Sequence, residues 1–202
     1  MTQAATGMTL RHRDGQRFRF DAGALCLELL LTGGPGPVAA RYEVLDRVEG
    51  LLTWVRECRL APGLDVTVTD GELAAVREVR DALWGIALAR AGGAAPDPDE
   101  VALVNAAAAE PPLVALIAAD GTRAWAPGAT GAGLLATVAR DAVELLTGPH
   151  AGRVRICGAD NCALVFADTS RPGRRRWCSM DRCGNRHKVR AHRARTPSEG
   201  EA

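Results

Sequence analysis

The sequence predicts an α+β protein that is mainly helical over residues 1–150 and ends in a small zinc finger. Several segments before residue 150 repeat apolar residues at helical spacing, and a short β-hairpin pattern interrupts them. Four of the six cysteines lie within 27 residues of one another near the C-terminal end. The length of 202 residues, with 47% hydrophobic and 24% charged residues, suits a domain of about 150 residues plus a smaller module.

Amphipathic helices are predicted at four places in residues 1–150, because apolar residues recur there every three or four positions. The second starts at Thr69-Asp70-Gly71-Glu72, a capping box that satisfies free amides at a helix start. The third starts at Asp97-Pro98, a cap followed by a proline that the first turn tolerates. The predicted segments are Val44–Cys58, Thr69–Ile86, Asp97–Ala108 and Leu134–Leu146.

Strand patterns are fewer and shorter. Arg17–Phe20 alternates polar and apolar residues, as an edge strand does. Leu113–Ala119 and Thr122–Ala126, joined by Asp120-Gly121, have the form of a β-hairpin with a tight turn. The apolar run Leu25–Leu31 is compatible with a buried strand or with the start of a helix, and the pattern does not separate the two.

Residues 1–150 contain no recognisable catalytic motif. Gly33–Gly36 lacks the Lys-Ser/Thr ending of a phosphate loop, and no nucleophile elbow, paired metal-binding histidines or dinucleotide fingerprint is present. The sequence therefore predicts a protein that is not an enzyme. Trp54, Trp84 and Trp125 are interpreted as core or half-core residues, with a ligand cavity as the alternative.

The expected compartment is the cytoplasm, with no membrane partner. The first fifteen residues contain no apolar segment like that of a secretory signal, and no apolar run is long enough to span a bilayer. In a reducing compartment a disulfide framework is not expected, so Cys26 and Cys58 are interpreted as small buried side chains.

The remaining cysteines follow the spacing C-x4-C-x15-C-x4-C and point to a metal ion. Zinc prefers a tetrahedral shell, which two close pairs of thiolates can supply without an open position. One structural zinc is therefore predicted. An alternative ligand set would join His187 and His192 to the first pair, but its 24-residue gap does not fit the usual two-cysteine, two-histidine finger. The four candidate ligands are Cys157, Cys162, Cys178 and Cys183.

The predicted finger is a hairpin plus a helix, treble-clef-like or ribbon-like, over residues 151–195. Arg153–Ile156 and Ala163–Phe166 form strand-like runs around the first cysteine pair. Ser179 has the position of a helix cap, with Cys183 in the second turn of a helix that runs to about residue 193. A seam at Pro149–Gly152 separates this module from a domain spanning 1–150, and residues 196–202 are predicted to form a disordered tail.

The net charge of +1 conceals a division along the chain. Residues 1–150 contain 13 Arg and 19 Asp or Glu, a net charge of −6, whereas residues 151–195 carry +9. This asymmetry predicts an anionic partner for the basic part, with DNA favoured. RNA is less favoured, because few aromatic residues accompany the charge. Lys188 is the only lysine among 25 basic residues, so part of the arginine clustering follows from a composition rich in arginine.

The candidate nucleic-acid contacts lie in a loop before Trp177 and on the helix after the second cysteine pair. Helical spacing places one arginine stripe on that helix, with Met180 turned inward and a second basic stripe of Lys188, His192 and Arg195 beside it. In the alternative interpretation, these arginines only pair with the acidic larger part. The candidates are Arg174, Arg175, Arg176, Arg182, Arg186, Lys188, Arg190 and Arg193.

The segment Asp168–Met180, followed by Cys183-Gly184-Asn185-Arg186, resembles the CGNR-type zinc finger. In that family the finger follows a domain called ABATE, and its members are described as stress-induced transcription regulators of bacteria. Leu25–Leu29 lies where the family has a Leu-Asp-Phe-like stretch. The resemblance implies the four cysteines above as zinc ligands and a regulatory role.

Two functions from different classes therefore follow from the sequence. In the first, the chain is a DNA-binding transcription regulator whose larger domain senses a small molecule or forms a homodimer. In the second, it is a zinc-stabilised protein-interaction or ligand-sensing module without direct nucleic-acid binding.

Overall fold

A computed structural model describes the backbone of residues 7–12 and 14–195, and side chains up to residue 190. This part of the chain is mainly helical, with three antiparallel two-stranded sheets. The strands are β1 (Met8–Arg11), β2 (Arg17–Phe20), β3 (Ala115–Ile117), β4 (Arg123–Trp125), β5 (Val154–Ile156) and β6 (Val165–Ala167). The α-helices are α1 (Leu25–Leu29), α2 (Val48–Glu57), α3 (Asp70–Gly92), α4 (Pro98–Ala109), α5 (Gly131–Thr147) and α6 (Asn185–Arg195). The predicted fold class, α+β with a hairpin-plus-helix finger, is confirmed.

Helix α3 lies at the centre of the larger part and packs against α4 and α5. The predicted capping box is present: Thr69 Oγ1 accepts a hydrogen bond from the Glu72 amide at 3.2 Å, and the Glu72 carboxylate accepts from the Thr69 amide at 2.8 Å. Glu72 also accepts from the Ala132 amide at 2.9 Å, in the first turn of α5. One carboxylate thus caps α3 and fixes the start of α5 beside it.

The apolar run Leu25–Leu31 is helical, so the helix alternative is the correct one. Its buried Glu28, only 1% exposed, accepts from Arg59 Nε at 3.0 Å and from the Arg59 amide at 2.9 Å. The Trp54 indole donates to the Glu28 carbonyl at 3.0 Å. A buried carboxylate requires such partners, since leaving it unpaired would cost several kcal/mol. This network holds α1 against α2 and the residues after it.

One local prediction needs correction, and one strand was not predicted. Helix α2 begins at Val48 and not at Val44, because the Val44 amide donates to the Thr32 carbonyl at 2.9 Å and the Leu45 amide to the Glu43 carboxylate at 2.8 Å. Strand β1, which the sequence analysis missed, pairs with β2 so that Met8 lies opposite Phe20.

The finger and the helical part share one buried core. The Ala167 amide of β6 donates to the Ala22 carbonyl at 2.8 Å, and Phe166 beside it is fully buried. Gly23 lies against this strand with a φ of +82°, and a Cβ there would come within 2.6 Å of the Ala167 carbonyl oxygen. Only glycine fits both the backbone conformation and this close approach. The joint between the two parts is therefore a packed interior.

The isolated cysteines and the three tryptophans behave as expected. Cys26 and Cys58 are buried, as are Trp54 and Trp84, while Trp125 is half-buried. Among the described residues, none of the helices combines the length and the apolar character needed to cross a membrane.

Candidate metal centre and basic surface

The hairpin β5–β6 positions the first cysteine pair. Its strands pair with Ile156 opposite Val165, and the Cys157 amide extends the ladder by donating to the Leu164 carbonyl at 2.9 Å. The Cys162 amide donates to the Ala159 carbonyl at 3.0 Å and closes a tight turn. The prediction of a hairpin with this pair at its tip is confirmed.

The second pair lies on either side of Ser179. The Cys178 amide points at Cys157 Sγ, at 3.4 Å, and Cys183 lies in a π-helical turn over Met180–Gly184. Ser179 has the extended backbone of a helix cap, but its side chain makes no capping hydrogen bond. Cys183 therefore precedes α6 instead of lying in its second turn. Met180, expected to turn inward, is half exposed.

The four Sγ atoms fit one tetrahedral zinc ion. All lie within 4.8 Å of one another, with Cys162 and Cys178 at 3.8 Å and Cys178 and Cys183 at 3.5 Å. A tetrahedral shell with Zn–S bonds of about 2.3 Å has sulfur–sulfur edges of about 3.8 Å. The four protein ligands leave no open position, so the ion is structural.

The histidine alternative does not match the structure. The four cysteines form the cluster that could hold a metal among the described side chains, and it contains no histidine. The His187 ring instead lies on Trp177, with ring centroids 4.7 Å apart. The side chain of His192 lies outside the described residues.

The four thiols lie in hydrogen-bonding contact, and this contact shifts their pKa values in different directions. A hydrogen bond with Cys157 raises the pKa of Cys162 to about 12, and hydrogen bonds with Cys157 and Cys162 raise the pKa of Cys178 further. Burial raises the pKa of Cys183. Only Cys157, which accepts these hydrogen bonds, has a lowered pKa. The positive charge of Zn²⁺ allows all four cysteines to be thiolates at the same time.

Asp168 organises the loop that joins the two cysteine pairs. Its side chain, buried in the loop, accepts from the Ser170 amide at 3.0 Å, the Ser170 hydroxyl at 2.6 Å and the Arg175 amide at 2.7 Å. Burial raises the pKa of Asp168, but these hydrogen bonds outweigh it and hold the pKa below its ordinary value. The loop that carries Arg174–Arg176 is therefore fixed by an ionised carboxylate.

Arg175 does not face solvent as the sequence analysis expected. Its guanidinium donates to the carbonyls of Cys178 at 2.6 Å, Trp177 at 3.1 Å and Asp21 at 2.9 Å. It also lies 4.1 Å above the Phe166 ring. Arg175 therefore joins the finger to the larger part of the chain. Its prediction as a nucleic-acid contact is wrong.

The prediction of Arg182 as a nucleic-acid contact is wrong for the same reason. It is 4% exposed, donates to Gln16 Oε1 at 2.9 Å, lies 3.5 Å from the Asp14 carboxylate and covers the Phe18 ring. Arg186 reaches the same carboxylate at 3.4 Å but remains 44% exposed. For these two residues the structure matches the alternative in which arginines pair with the acidic larger part.

The other expected contacts remain accessible where they are described. Arg174, Arg176 and Lys188 are exposed, and the Arg176 guanidinium lies 5.2 Å from the centre of the Trp177 ring. Because Trp177 also contacts His187, this stack places Arg176 alongside the start of α6. Arg190 pairs with the exposed Asp160 at 3.0 Å, a contact that water screens. The Arg193 side chain lies outside the described residues.

Sequence reasoning missed Asp14, Gln16 and the role of Asp168. The pattern Asp168-Thr169-Ser170 is typical of a turn closed by an aspartate side chain, so the role of Asp168 had a local signal in the sequence. Asp14 and Gln16 lie more than 160 positions from Arg182, and no local pattern links them.

Fold and site together define a class: a mainly helical domain that carries a four-cysteine zinc finger at its C-terminal end. Residues 23–149 match the family model ABATE, described as "Putative stress-induced transcription regulator", and residues 153–196 match the CGNR zinc finger. The chain belongs to the ABATE family and ends in a CGNR zinc finger. A search of curated proteins found no match.

We expect Cys178→Ser to abolish stoichiometric zinc binding, because it removes one of four thiolates. Structural zinc contributes about 10–16 kcal/mol of apparent binding free energy in small fingers, so the thermal midpoint should fall as well. The measurement is zinc content by plasma mass spectrometry, with unfolding followed by circular dichroism. Cys58→Ser makes the same chemical change at a buried cysteine outside the cluster and should keep one zinc per chain. Equal zinc content in both variants would contradict the assignment.

We expect Asp168→Asn to destabilise the finger by about 1–3 kcal/mol at neutral pH, because the amide nitrogen cannot accept the hydrogen bond from the Arg175 amide. Chemical unfolding of the zinc-loaded chain measures this loss. Because Asp168 has a lowered pKa in the folded chain, its stabilisation is present above its unfolded pKa and is lost as the pH falls through the folded value. Asp160→Asn, at an 88% exposed carboxylate, is the matched control and should change stability by less than about 1 kcal/mol. A loss no larger than that of the control would rule out the role given to Asp168.

Proposed function

We propose that this chain is a DNA-binding regulator of transcription, without enzymatic activity, whose finger contacts the phosphates of a DNA duplex. The observation that carries the proposal is the group of exposed cations Arg174, Arg176 and Lys188, which form no ion pair among the described residues. They lie on a loop and a helix that zinc holds together. The family's description as a transcription regulator supports the regulatory role.

The charge available to a polyanion is smaller than the sequence suggests. Of the +9 in residues 151–195, four zinc-bound thiolates and one Zn²⁺ leave about +7. Arg175 and Arg182 use their guanidinium groups inside the protein, and Arg186 shares Asp14. Of the eight candidate contacts, three form no ion pair among the described residues and Arg190 pairs only with an exposed carboxylate, so about three or four cations can meet as many phosphates.

Duplex DNA suits this surface better than single-stranded RNA. Unpaired bases are bound mainly by stacking on aromatic side chains. Phe166 is fully buried, and Trp177 already contacts His187 on one side and Arg176 on another. The basic surface offers charge without a free aromatic face, which favours contacts to a double-stranded backbone.

A second candidate function is a protein-interaction module that does not bind nucleic acid. It is favoured by the pairing of Arg182 and Arg186 with Asp14, and by the apolar side chains that the hairpin β3–β4 exposes. Ile117 is 87% exposed and Val114 57% exposed. In either function the four thiols need a reducing compartment, and we propose the cytoplasm.

The two functions differ in their dependence on salt. We expect zinc-loaded protein to bind fluorescently labelled duplex DNA with log K falling against log salt at a slope of about −3, since each phosphate contact contributes about −0.9. Anisotropy titrations at several salt concentrations measure the slope. The double variant Arg174→Glu/Arg176→Glu should bind more weakly and flatten the slope by about 2.

Arg47→Glu/Arg56→Glu is the matched control, because it makes the same change of net charge at exposed arginines of the larger part. It should leave the slope unchanged. Absence of salt-sensitive binding, or an equal loss in both double variants, would overturn the proposed DNA contact and favour the protein-interaction module.

A further inference from the structure

A cavity of about 270 Å³ lies where three distant segments of the chain meet. The first wall is the hairpin β1–β2, the second is the chain between residues 30 and 44, and the third is the finger, including Cys162 and Cys183. We propose that this cavity binds a compact, uncharged, largely apolar small molecule, and that the bound molecule ties the finger to the larger part. The inference goes beyond DNA binding and does not depend on it.

The size of the cavity and its lining define the ligand class. Phe18, Leu30, Leu31 and Leu164 supply apolar surface from the three walls, and Trp84 of α3 adds to it. An apolar cavity of about 150 Å³ accepts benzene, so this one has room for a fused two-ring molecule of about ten non-hydrogen atoms. Concave, mainly apolar sites with a few polar groups are the usual binding places for such molecules.

The charges around the cavity do not favour an ion. Arg182 lines it, but its guanidinium is already held by Gln16 and Asp14. His12 also faces Asp14, at 3.0 Å. The remaining cation, Arg11, lies at the exposed rim, while the zinc–thiolate centre beside the cavity carries a charge of about −2. An uncharged ligand avoids both the desolvation cost of an ion and the repulsion from the thiolates.

Two of the zinc-binding cysteines lie in the cavity wall, so binding of a small molecule there is coupled to binding of the metal. Zinc release breaks all four Zn–S bonds, and the movement of Cys162 and Cys183 away from the ion opens the cavity on the finger side. A molecule that binds only the closed form reduces the population of the open form by the factor 1 + [L]/Kd. Filling the cavity should therefore slow the loss of zinc.

The test uses 2-naphthol, an uncharged two-ring molecule at neutral pH, and zinc-loaded full-length protein without DNA. We expect one binding site per chain by isothermal titration calorimetry. Ala39→Trp places an indole in the lining and should abolish binding. Ala40→Trp, at the next residue of the same 3₁₀ turn, Ala39–Tyr42, is exposed and outside the lining, and should leave binding unchanged. If Ala39→Trp does not fold with its zinc, Val38→Trp fills the cavity from another lining position.

The second readout is zinc transfer to a coloured chelator, 4-(2-pyridylazo)resorcinol. We expect 2-naphthol at ten times its Kd to slow transfer about tenfold in the wild-type chain and in Ala40→Trp, with no effect in Ala39→Trp. Failure of 2-naphthol to bind, equal binding to both tryptophan variants, or unchanged zinc transfer at saturation would overturn the proposal. Tighter binding of the anionic two-ring analogue 2-naphthoate would overturn the assignment of an uncharged ligand. Loss of DNA binding alone would affect only the proposed function above.

Discussion

The coordination of four thiolates to one cation is the interaction on which the rest of the finger depends. Cys157 and Cys162 lie at the tip of the hairpin β5–β6, Cys178 lies just before the turn that precedes α6, and Cys183 lies in that turn, so the zinc joins these two parts of the finger. Hydrogen bonds among these thiols and burial raise the pKa of Cys162, Cys178 and Cys183, so the positive charge of zinc favours the form in which all four are thiolates. Zinc therefore sets the charge of the centre and, together with the contacts of Arg182, the position of α6, which carries part of the basic surface.

The finger is also built into the larger part of the chain. Ala167 and Phe166 lie in the same core as α1, and Arg175 and Arg182 cross the joint to reach Asp21, Asp14 and Gln16. These arginines stabilise the joint by hydrogen bonds from their charged guanidinium groups to the Asp21 carbonyl and to Gln16, and by packing over aromatic rings. Part of the positive charge of the basic segment is thus used in contacts inside the protein. The formal charge of the segment is therefore larger than the charge that is exposed to a polyanion. The cavity beside Cys162 and Cys183 lies on this same joint.

Much of this organisation could be predicted from the sequence where the signal is local. The capping box at Thr69, the Asp120-Gly121 turn and the spacing of the four cysteines each act over a few residues, and the structure contains the corresponding helix, hairpin and metal cluster. Long-range contacts gave no such signal. Helical spacing placed Arg182 on a solvent-facing stripe, but its partners come from a loop near the N-terminal end. The start of α2 was predicted too early for a similar reason, because Thr32 binds the Val44 amide from outside the helix.

The central claim is that zinc holds the finger in the core it shares with the larger part. Hydrogen–deuterium exchange of the full chain, before and after zinc is removed by a chelator, tests it directly. We expect the amides of Cys157 and Gly184 in the finger to lose protection together with that of Ala167, which donates to the Ala22 carbonyl across the joint. Amides of α3 and α5 should remain protected, because these helices pack against each other and against α4. Full protection of the Ala167 and Cys157 amides in protein shown to be free of zinc would contradict this account.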